Sequence, residues 1–259
     1  MQIAAIQMPV EDGNPKCNRL TLAALLDTAD GADLCLAPEL WSSGYVLEQW
    51  SDIADSDTPS TMSWMANQAQ TRQIWLGGSL ISRDDVGNLR NRFILFDRNG
   101  NLACHYDKSH LFVPLDEHKW LKAGELLPPI VDVEGIKMAP TICYDLRFPE
   151  TFRHLALAGV EVFLAVAEWP KPRQRALCIL AEARAIENLA YLVLANRIGP
   201  DNSGTDFCGE SAVFGPTGLI STMEEVVGVS SAIIDIKKTR ELRENFPVLK
   251  HRLQGIDYD

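Results

Sequence analysis

The chain has 259 residues and a formal net charge of −11, with 46% of its residues apolar and 23% charged. This length allows one large domain or two small ones with a substantial core, and the composition is that of a soluble globular protein. The negative charge, with no block of Lys or Arg to offset it, argues against nucleic acid and anionic membranes as partners.

Two further features argue against export and membrane insertion. Residues 1–7 contain neither the basic nor the apolar segment of a signal peptide. The longest apolar runs, such as residues 191–195, are far too short to span a bilayer. A cytoplasmic protein with no membrane contact is therefore the expectation.

Cysteines and histidines form no disulfide or metal pattern. No two cysteines make a CxxC pair, and the histidines make neither an HExxH motif nor a paired Cys/His cluster. We therefore expect neither disulfides nor a metal site. The six cysteines are Cys17, Cys35, Cys104, Cys143, Cys178 and Cys208.

Hydrophobic patterning along the first half predicts alternating strands and helices. Helices are expected to begin at Asn14-Pro15 and at Pro59. A hairpin is expected at Arg98-Asn99-Gly100, because Asn-Gly supplies the positive φ angles of a tight turn. The predicted strands are residues 3–7, 34–37, 74–81 (broken by Gly77-Gly78), 93–96 and 102–106.

The second half repeats this alternation. Helices are predicted from Pro149 and over residues 173–188, and a charged helix is predicted in the tail. The predicted strands are residues 137–142, 162–166, 191–195, a hairpin over 212–220, and 233–236. No linker interrupts the chain, so we predict a single domain over residues 1–259, with a core of about 1–236 and a tail of 237–259.

The two halves also share a short internal echo. Residues 34–39 and residues 163–168 each consist of an apolar strand that ends in a glutamate, Glu39 or Glu168. This similarity would suit an α/β sandwich with two-fold-like halves, although short apolar runs also recur by chance.

One cysteine occupies a position suited to catalysis. Cys143 ends the predicted strand 137–142 and precedes Asp145, Arg147 and the helix that begins at Pro149. A thiol at such a turn can be exposed, and nearby backbone N–H groups can bind an oxyanion. An arbitrary cysteine is more often a small core residue, and Asp145 and Arg147 have a simpler role in pairing with each other or capping the helix.

A thiol nucleophile needs a base and a positive environment, and no histidine is placed to pair with Cys143. Glu39 ends a buried strand, where desolvation would raise its pKa and make it a base; a solvated loop carboxylate is an equal alternative. Lys108 is flanked by apolar residues, which indicates an amine pointing into a cleft, although a lone lysine is usually surface charge.

Three segments, in order, resemble the signature blocks of the nitrilase, or carbon–nitrogen hydrolase, superfamily. They are residues 37–39, 106–112 and 143–149, and the resemblance runs from residue 3 to about 236. It implies a triad of Glu39, Lys108 and Cys143, with Glu117 as a second carboxylate. It also implies a four-layer α-β-β-α sandwich that dimerises by stacking, and no metal or organic cofactor.

The resemblance implies a mechanism of acyl transfer. Glu39 takes the Cys143 proton and the thiolate attacks an amide carbon. The Lys108 ammonium and the Tyr144 backbone N–H stabilise the oxyanion, and Glu117 orients Lys108. Glu39 protonates the departing ammonia and then activates the water that hydrolyses the thioester.

Within the superfamily, the short loop over residues 111–124 and the segments 168–173, 183–188 and 196–199 are most similar to the bacterial omega-amidase branch. That branch hydrolyses the terminal amide of small 2-oxo acid amides such as 2-oxoglutaramate and 2-oxosuccinamate. One departure is Glu168, where asparagine is expected before Trp169. A carboxylate beside the nucleophile would disfavour an anionic substrate.

Several substrate contacts are predicted. Arg173 is expected to bind the distal carboxylate, and Trp169 and Trp41 to wall the pocket; a surface arginine and plain core tryptophans are the alternatives. Arg184 and Glu187 are expected to form a buried or interface ion pair without a catalytic role.

Two other functional readings remain open. The protein is alternatively another hydrolase of the superfamily, namely an aliphatic amidase, an N-carbamoyl amino acid hydrolase or a nitrilase. It is alternatively a catalytically silent binding protein, although the presence of all four polar residues argues against that.

Overall fold

The computed structural model describes residues 1–253. The strands are, in chain order, β1 (Gln2–Gln7), β2 (Leu34–Leu36), β3 (Trp75–Arg83), β4 (Leu89–Phe96), β5 (Leu102–Asp107), β6 (Val131–Val133), β7 (Ile136–Ile142), β8 (Val162–Ala167), β9 (Tyr191–Asn196), β10 (Ile198–Pro200), β11 (Asp206–Cys208), β12 (Ala212–Gly215), β13 (Gly218–Thr222) and β14 (Gly228–Ile233). The helices are α1 (Pro15–Leu26), α2 (Trp50–Ser56), α3 (Thr58–Arg72), α4 (Glu117–Trp120), α5 (Pro149–Leu157), α6 (Gln174–Asn188) and α7 (Ile236–Asn245).

The two large sheets repeat one strand arrangement. The first has the order β14-β1-β2-β3-β4-β5, and the second, read from its opposite edge, has the order β6-β7-β8-β9-β12-β13. In both, three central strands are parallel and the outer pairings are antiparallel. Strands β2 and β8 therefore occupy equivalent places, and the echo between residues 34–39 and 163–168 reflects a structural repeat.

The sheets pack face to face, with helices on both outer faces. Ile3 and Ala5 of β1 face the second sheet, whereas Ala4 and Ile6 face outwards and belong to a separate core cluster with Leu22 of α1. This alternation is the period of two that a strand buried on both faces requires. Residues of α5 and α6 close the core beyond the second sheet. The predicted four-layer α-β-β-α sandwich is confirmed.

Two helices begin where side chains in the sequence can cap them. The Asn14 side chain accepts a hydrogen bond from Cys17 N at 3.2 Å, and Pro15 follows as the first residue of α1. Asp235 caps α7 by accepting from Lys238 N at 3.2 Å. Arg240 of α7 then pairs with Glu161, which fixes this charged helix against the second sheet.

Two predicted elements are wrong in detail. Strand β3 runs unbroken through Gly77 and Gly78. The two glycines are there because neighbouring side chains occupy the space that a side chain at either position would need. A Cβ on Gly78 would lie 2.9 Å from the Trp41 ring. The last strand is Gly228–Ile233, which pairs with β1, and not residues 233–236. Ile236 instead begins α7.

No helix among residues 1–253 combines the length and the apolar composition that crossing a bilayer requires.

Candidate active site

Glu39 lies just beyond β2 and its side chain is completely buried. Its Oε1 accepts hydrogen bonds from Lys108 Nζ at 2.8 Å and from Asn91 Nδ2 at 2.7 Å. Its Oε2 accepts from the backbone N–H of Glu168 at 3.0 Å, across the interface between the sheets. Both oxygens therefore have hydrogen-bond donors, one of them charged.

Lys108 follows β5 and joins two carboxylates. Its Nζ lies 2.8 Å from Glu39 Oε1 and 2.7 Å from Glu117 Oε1, and all three side chains are completely buried. Burial alone would lower the pKa of Lys108, but the charges of Glu117 and Glu39 outweigh it and hold the pKa well above its ordinary value. The amine therefore remains an ammonium.

The backbone of Lys108 is held on both sides. Its N–H donates to Asn91 O, and its carbonyl accepts from Gly124 N, both at 2.9 Å. A Cβ on Gly124 would lie 2.1 Å from Asp107 O, so only glycine permits this approach. The short loop over residues 111–124 thereby closes back onto the lysine.

Glu117 begins α4 directly after Asp116, whose φ is +59°. Its Oε2 accepts from Phe112 N at 2.6 Å, and its Oε1 accepts from Lys108 and from the Tyr45 hydroxyl. These contacts fix the second carboxylate beside the Lys108 ammonium.

Tyr45 is a site residue that the sequence analysis missed. Its hydroxyl donates to Glu117 Oε1 and lies 3.2 Å from Glu39 Oε1, so it joins the two carboxylates that share Lys108. Burial and the nearby charges of Glu117 and Glu39 raise the pKa of Tyr45 well above its ordinary value, which keeps the phenol a donor. A tyrosine six residues after Glu39, in a loop without a repeating pattern, gives no signal in the sequence.

Cys143 ends β7 in a backbone conformation that is uncommon for a residue with a side chain. Its φ is +49°, and the 3-10 turn Cys143–Arg147 begins there. Such backbone geometry costs on the order of 1–3 kcal/mol and clusters at functional sites. The side chain lies at the base of a cleft and is mostly buried.

Charges around Cys143 keep it a thiol at rest. Burial raises the pKa of Cys143 well above its ordinary value; the Glu39 carboxylate raises it further and Lys108 opposes the change. A nucleophile in this state needs a base at the moment of attack, and Glu39 is the carboxylate beside it.

Asp145 ties the cysteine turn to the lysine segment. Its Oδ2 accepts from Ile142 N and from the Tyr106 hydroxyl, each at 2.9 Å, and its Oδ1 lies 2.7 Å from His110 Nδ1. It therefore holds the cysteine turn together. It neither pairs with Arg147 nor caps the helix at Pro149, where no side chain makes a capping hydrogen bond, so both sequence interpretations of Asp145 are wrong. These contacts explain why Tyr106 and His110 belong to the motif that contains Lys108.

Glu168 lies just beyond β8, at the place equivalent to Glu39. Its Oε2 is 3.2 Å from Arg197 Nη1, and the same nitrogen lies 3.0 Å from Asp12 Oδ1. Burial raises the pKa of Glu168 to about 8, with Arg197 opposing the change and Glu39 adding to it. The extra carboxyl group beside the nucleophile is therefore present, and the buried Arg197 guanidinium contacts it.

A cleft leads to Cys143. Two exposed cations lie on its wall: Arg173, 4.9 Å from the Phe112 ring centroid, and Arg147, 5.0 Å from that of Trp169. Arg147 is a cleft residue that the sequence analysis had considered only as a partner of Asp145. The lining residues are Tyr45, Phe112, Leu115, Cys143, Tyr144, Arg147, Glu168, Trp169, Pro170 and Arg173.

Other predicted residues lie away from this cleft. Trp41 is completely buried between the first sheet and its helices, with its ring 5.8 Å from Trp64, and does not line the cleft. Gly78 gives the Trp41 ring room there. Arg184 pairs with Glu187 at 3.0 Å and donates to Leu146 O at 2.8 Å, so it supports the cysteine turn from behind.

Among residues 1–253, no group of three or more His, Cys, Asp or Glu side chains is arranged to hold a metal ion.

Comparisons with known proteins agree with this geometry. The chain is 32% identical over 250 residues to the 2-oxoglutaramate amidase of Bacillus subtilis, covering 95% of each chain. It is 35% identical to omega-amidase YafV of Escherichia coli K12, covering 95% of this chain and 94% of that protein.

A solved structure is similar along nearly the whole chain. It is an amidase from Nesterenkonia sp. AN1 in which acrylamide has added to the active-site cysteine, with a TM-score of 0.83, 28% identity and coverage of 95% and 98% of the two chains. The family model for carbon–nitrogen hydrolases matches residues 2–244. The chain belongs to the carbon–nitrogen hydrolase family of the nitrilase superfamily.

Proposed function

We propose that this protein is an omega-amidase that hydrolyses the terminal amide of a small 2-oxo acid amide to the acid and ammonia. The observation that carries the proposal is the buried Lys108 ammonium between Glu39 and Glu117, beside the Cys143 thiol at the base of the cleft. This set supplies a base, a fixed positive charge and a nucleophile without a histidine.

In the acylation step, Glu39 accepts the Cys143 proton as the sulfur attacks the amide carbon. The developing oxyanion is stabilised by the Lys108 ammonium and by the backbone N–H of Tyr144, the first residue after the strained cysteine. Removing one donor of this kind costs on the order of 10²–10³-fold in rate. Glu39 then returns its proton to the departing ammonia, which leaves a thioester on Cys143.

In the second step, water loses a proton to Glu39 and attacks the thioester carbon. The thiolate leaves and regains the proton, and the acid departs. Glu117 and Tyr45 hold Lys108 and Glu39 in place, because Glu117 accepts from the ammonium and the Tyr45 hydroxyl contacts both carboxylates.

The cleft wall supports an acyl chain that carries a carboxylate. Arg147 and Arg173 are both exposed, and each guanidinium lies over an aromatic ring. An arginine held in this way can offer paired N–H donors to a carboxylate. The similarity of the chain to the 2-oxoglutaramate amidase of Bacillus subtilis supports the same substrate class.

The test is ammonia release by the purified protein from 2-oxoglutaramate, compared with glutamine, an aliphatic nitrile and an N-carbamoyl amino acid. We expect the highest kcat/KM for 2-oxoglutaramate, no activity in Cys143→Ala, and full activity in Cys17→Ala, whose thiol lies on α1. Activity retained by Cys143→Ala contradicts the mechanism. A preference for the nitrile or the N-carbamoyl compound favours the other hydrolases, and inactivity on all four favours a binding protein.

The dimer and the cytoplasmic location stay predictions from the sequence.

A further inference from the structure

Glu168 presents an oxygen that the fold leaves without a partner. Its side chain is completely buried, and Oε2 faces Arg197. Its Oε1 is buried and accepts or donates no hydrogen bond among the described residues. Glu168 lines the cleft together with Cys143, so this buried oxygen without a partner belongs to a residue beside the place where substrate binds.

The surrounding charges favour a neutral Glu168. Arg197, at the end of β9, is shared with Asp12, which also accepts a backbone hydrogen bond from Asn202 at 2.8 Å. One guanidinium thus faces two carboxyl groups. A buried carboxylate oxygen with no donor is costly, and protonation lowers that cost by removing the charge.

The remaining titratable groups around Glu168 do not supply the missing positive charge. Glu39 and Asp12 are further negative charges, while Cys143 and Tyr45 are neutral at rest. Arg147 and Arg173 lie on the cleft wall, with their guanidinium groups over Trp169 and Phe112. Arg197 is therefore the cation that contacts the carboxyl.

This inference rests on the proposed function. We propose that Glu168, in its protonated form, is a specificity-determining residue. Its Oε1 donates a hydrogen bond to an acceptor oxygen on the acyl chain of the substrate. That acceptor is the 2-oxo oxygen or an oxygen of the distal carboxylate. A neutral carboxyl offers a donor, as the amide of the asparagine expected at this position would. Protonation also removes the negative charge of Glu168, which the sequence analysis expected to repel an anionic substrate.

The first test measures binding of 2-oxoglutaramate to Cys143→Ala by calorimetry, where no turnover occurs. Because the binding form is protonated, Kd is constant below about pH 8 and rises about tenfold per pH unit above it. In Cys143→Ala/Glu168→Gln, which keeps a donor that cannot ionise, Kd stays within about threefold of the parent at pH 7 and shows no such rise. The matched control Cys143→Ala/Glu150→Gln alters an exposed glutamate and keeps the rise.

The second test removes the donor. In Cys143→Ala/Glu168→Leu, Kd for 2-oxoglutaramate increases at least about tenfold at pH 7, while Kd for pentanamide, whose acyl chain has no further acceptor, changes less than about threefold. Glutaramate keeps the carboxylate and lacks the 2-oxo group. A full tenfold loss with glutaramate assigns the hydrogen bond to the carboxylate, and an unchanged Kd assigns it to the 2-oxo oxygen.

Any of these results overturns the proposal: Kd without pH dependence in the parent, a rise that persists in the Gln variant, or a Gln variant as weak as the Leu variant. Absence of 2-oxoglutaramate binding to Cys143→Ala also overturns it. Turnover of 2-oxoglutaramate by the unaltered protein tests the proposed function separately. Binding without turnover, or turnover without the pH effect, therefore identifies which of the two proposals fails.

Discussion

Glu39 and Glu168 end equivalent strands, β2 and β8, yet their carboxyl groups have opposite surroundings. Glu39 has donors on both oxygens, including the Lys108 ammonium. Glu168 has one oxygen against Arg197, which it shares with Asp12, and one oxygen without a partner. The comparison shows that equivalent positions at strand ends bring two carboxyl groups to the site, while packing gives them different numbers of hydrogen-bond donors.

The largest expected effect separates the two glutamates in catalysis. Glu39→Gln removes the base, and general acid–base catalysis typically contributes about 10²–10⁴-fold, so we expect kcat to fall by about 10³-fold. Glu168→Gln is expected to keep kcat within about fivefold, because it keeps a donor to the substrate. Steady-state ammonia release measures both, with circular dichroism confirming that each variant is folded. Equal losses of kcat would show that the two carboxyl groups do not differ as proposed.

The next prediction concerns stability. It tests which carboxyl group, that of Asp12 or that of Glu168, is the ionised partner of Arg197. Arg197→Met leaves a buried carboxylate without its cation, so we expect the free energy of unfolding to fall by about 3 kcal/mol. Adding Asp12→Asn should recover most of that loss, while adding Glu168→Gln should recover little. Urea denaturation measures each value, and Arg175→Met, which alters an exposed arginine, is the control. Equal recovery by the two second substitutions would mean that Glu168 is ionised.

The smallest effect concerns the hydroxyl that joins the two carboxylates around Lys108. Tyr45→Phe removes hydrogen bonds to Glu117 and Glu39 but leaves the ammonium in place. A net hydrogen bond is worth about 1 kcal/mol, so we expect kcat to fall about fivefold with KM little changed. Steady-state kinetics measure this change. A loss as large as that of Glu39→Gln would give Tyr45 a direct part in the reaction.

Local signals in the sequence predict most of the strands and helices, whereas the layers of the fold and the set of four polar residues follow from the resemblance to the nitrilase superfamily. Strand and helix periods, proline starts and Asn-Gly identify most elements. Glu39, Lys108, Glu117 and Cys143 follow from motifs in a fixed order, and the structure places them together. Their catalytic roles remain proposals that the variants above test.

Other contacts depend on packing that no local pattern encodes. Tyr45 and Asn91 reach Glu39 from a loop and from the interior of β4. Arg197 meets Glu168 only because the end of β9 lies beside Asp12. Trp41 and Trp169 look alike in sequence, yet the space left by Gly78 places Trp41 in the core, while Trp169 follows β8 and lines the cleft.

The hydrogen bond from Glu168 N to Glu39 Oε2, at 3.0 Å, joins residues 129 positions apart and crosses between the two sheets. Glu39 and Lys108 come from the first half of the chain and Cys143 from the second, so neither half contains a complete site. During synthesis, strands β1 to β5 of the first sheet emerge before the cysteine does, and β14 completes that sheet only after the second sheet has been made. The thiol therefore meets its base and cation only in a molecule whose two sheets have already docked, which couples the appearance of a reactive cysteine to the completion of folding.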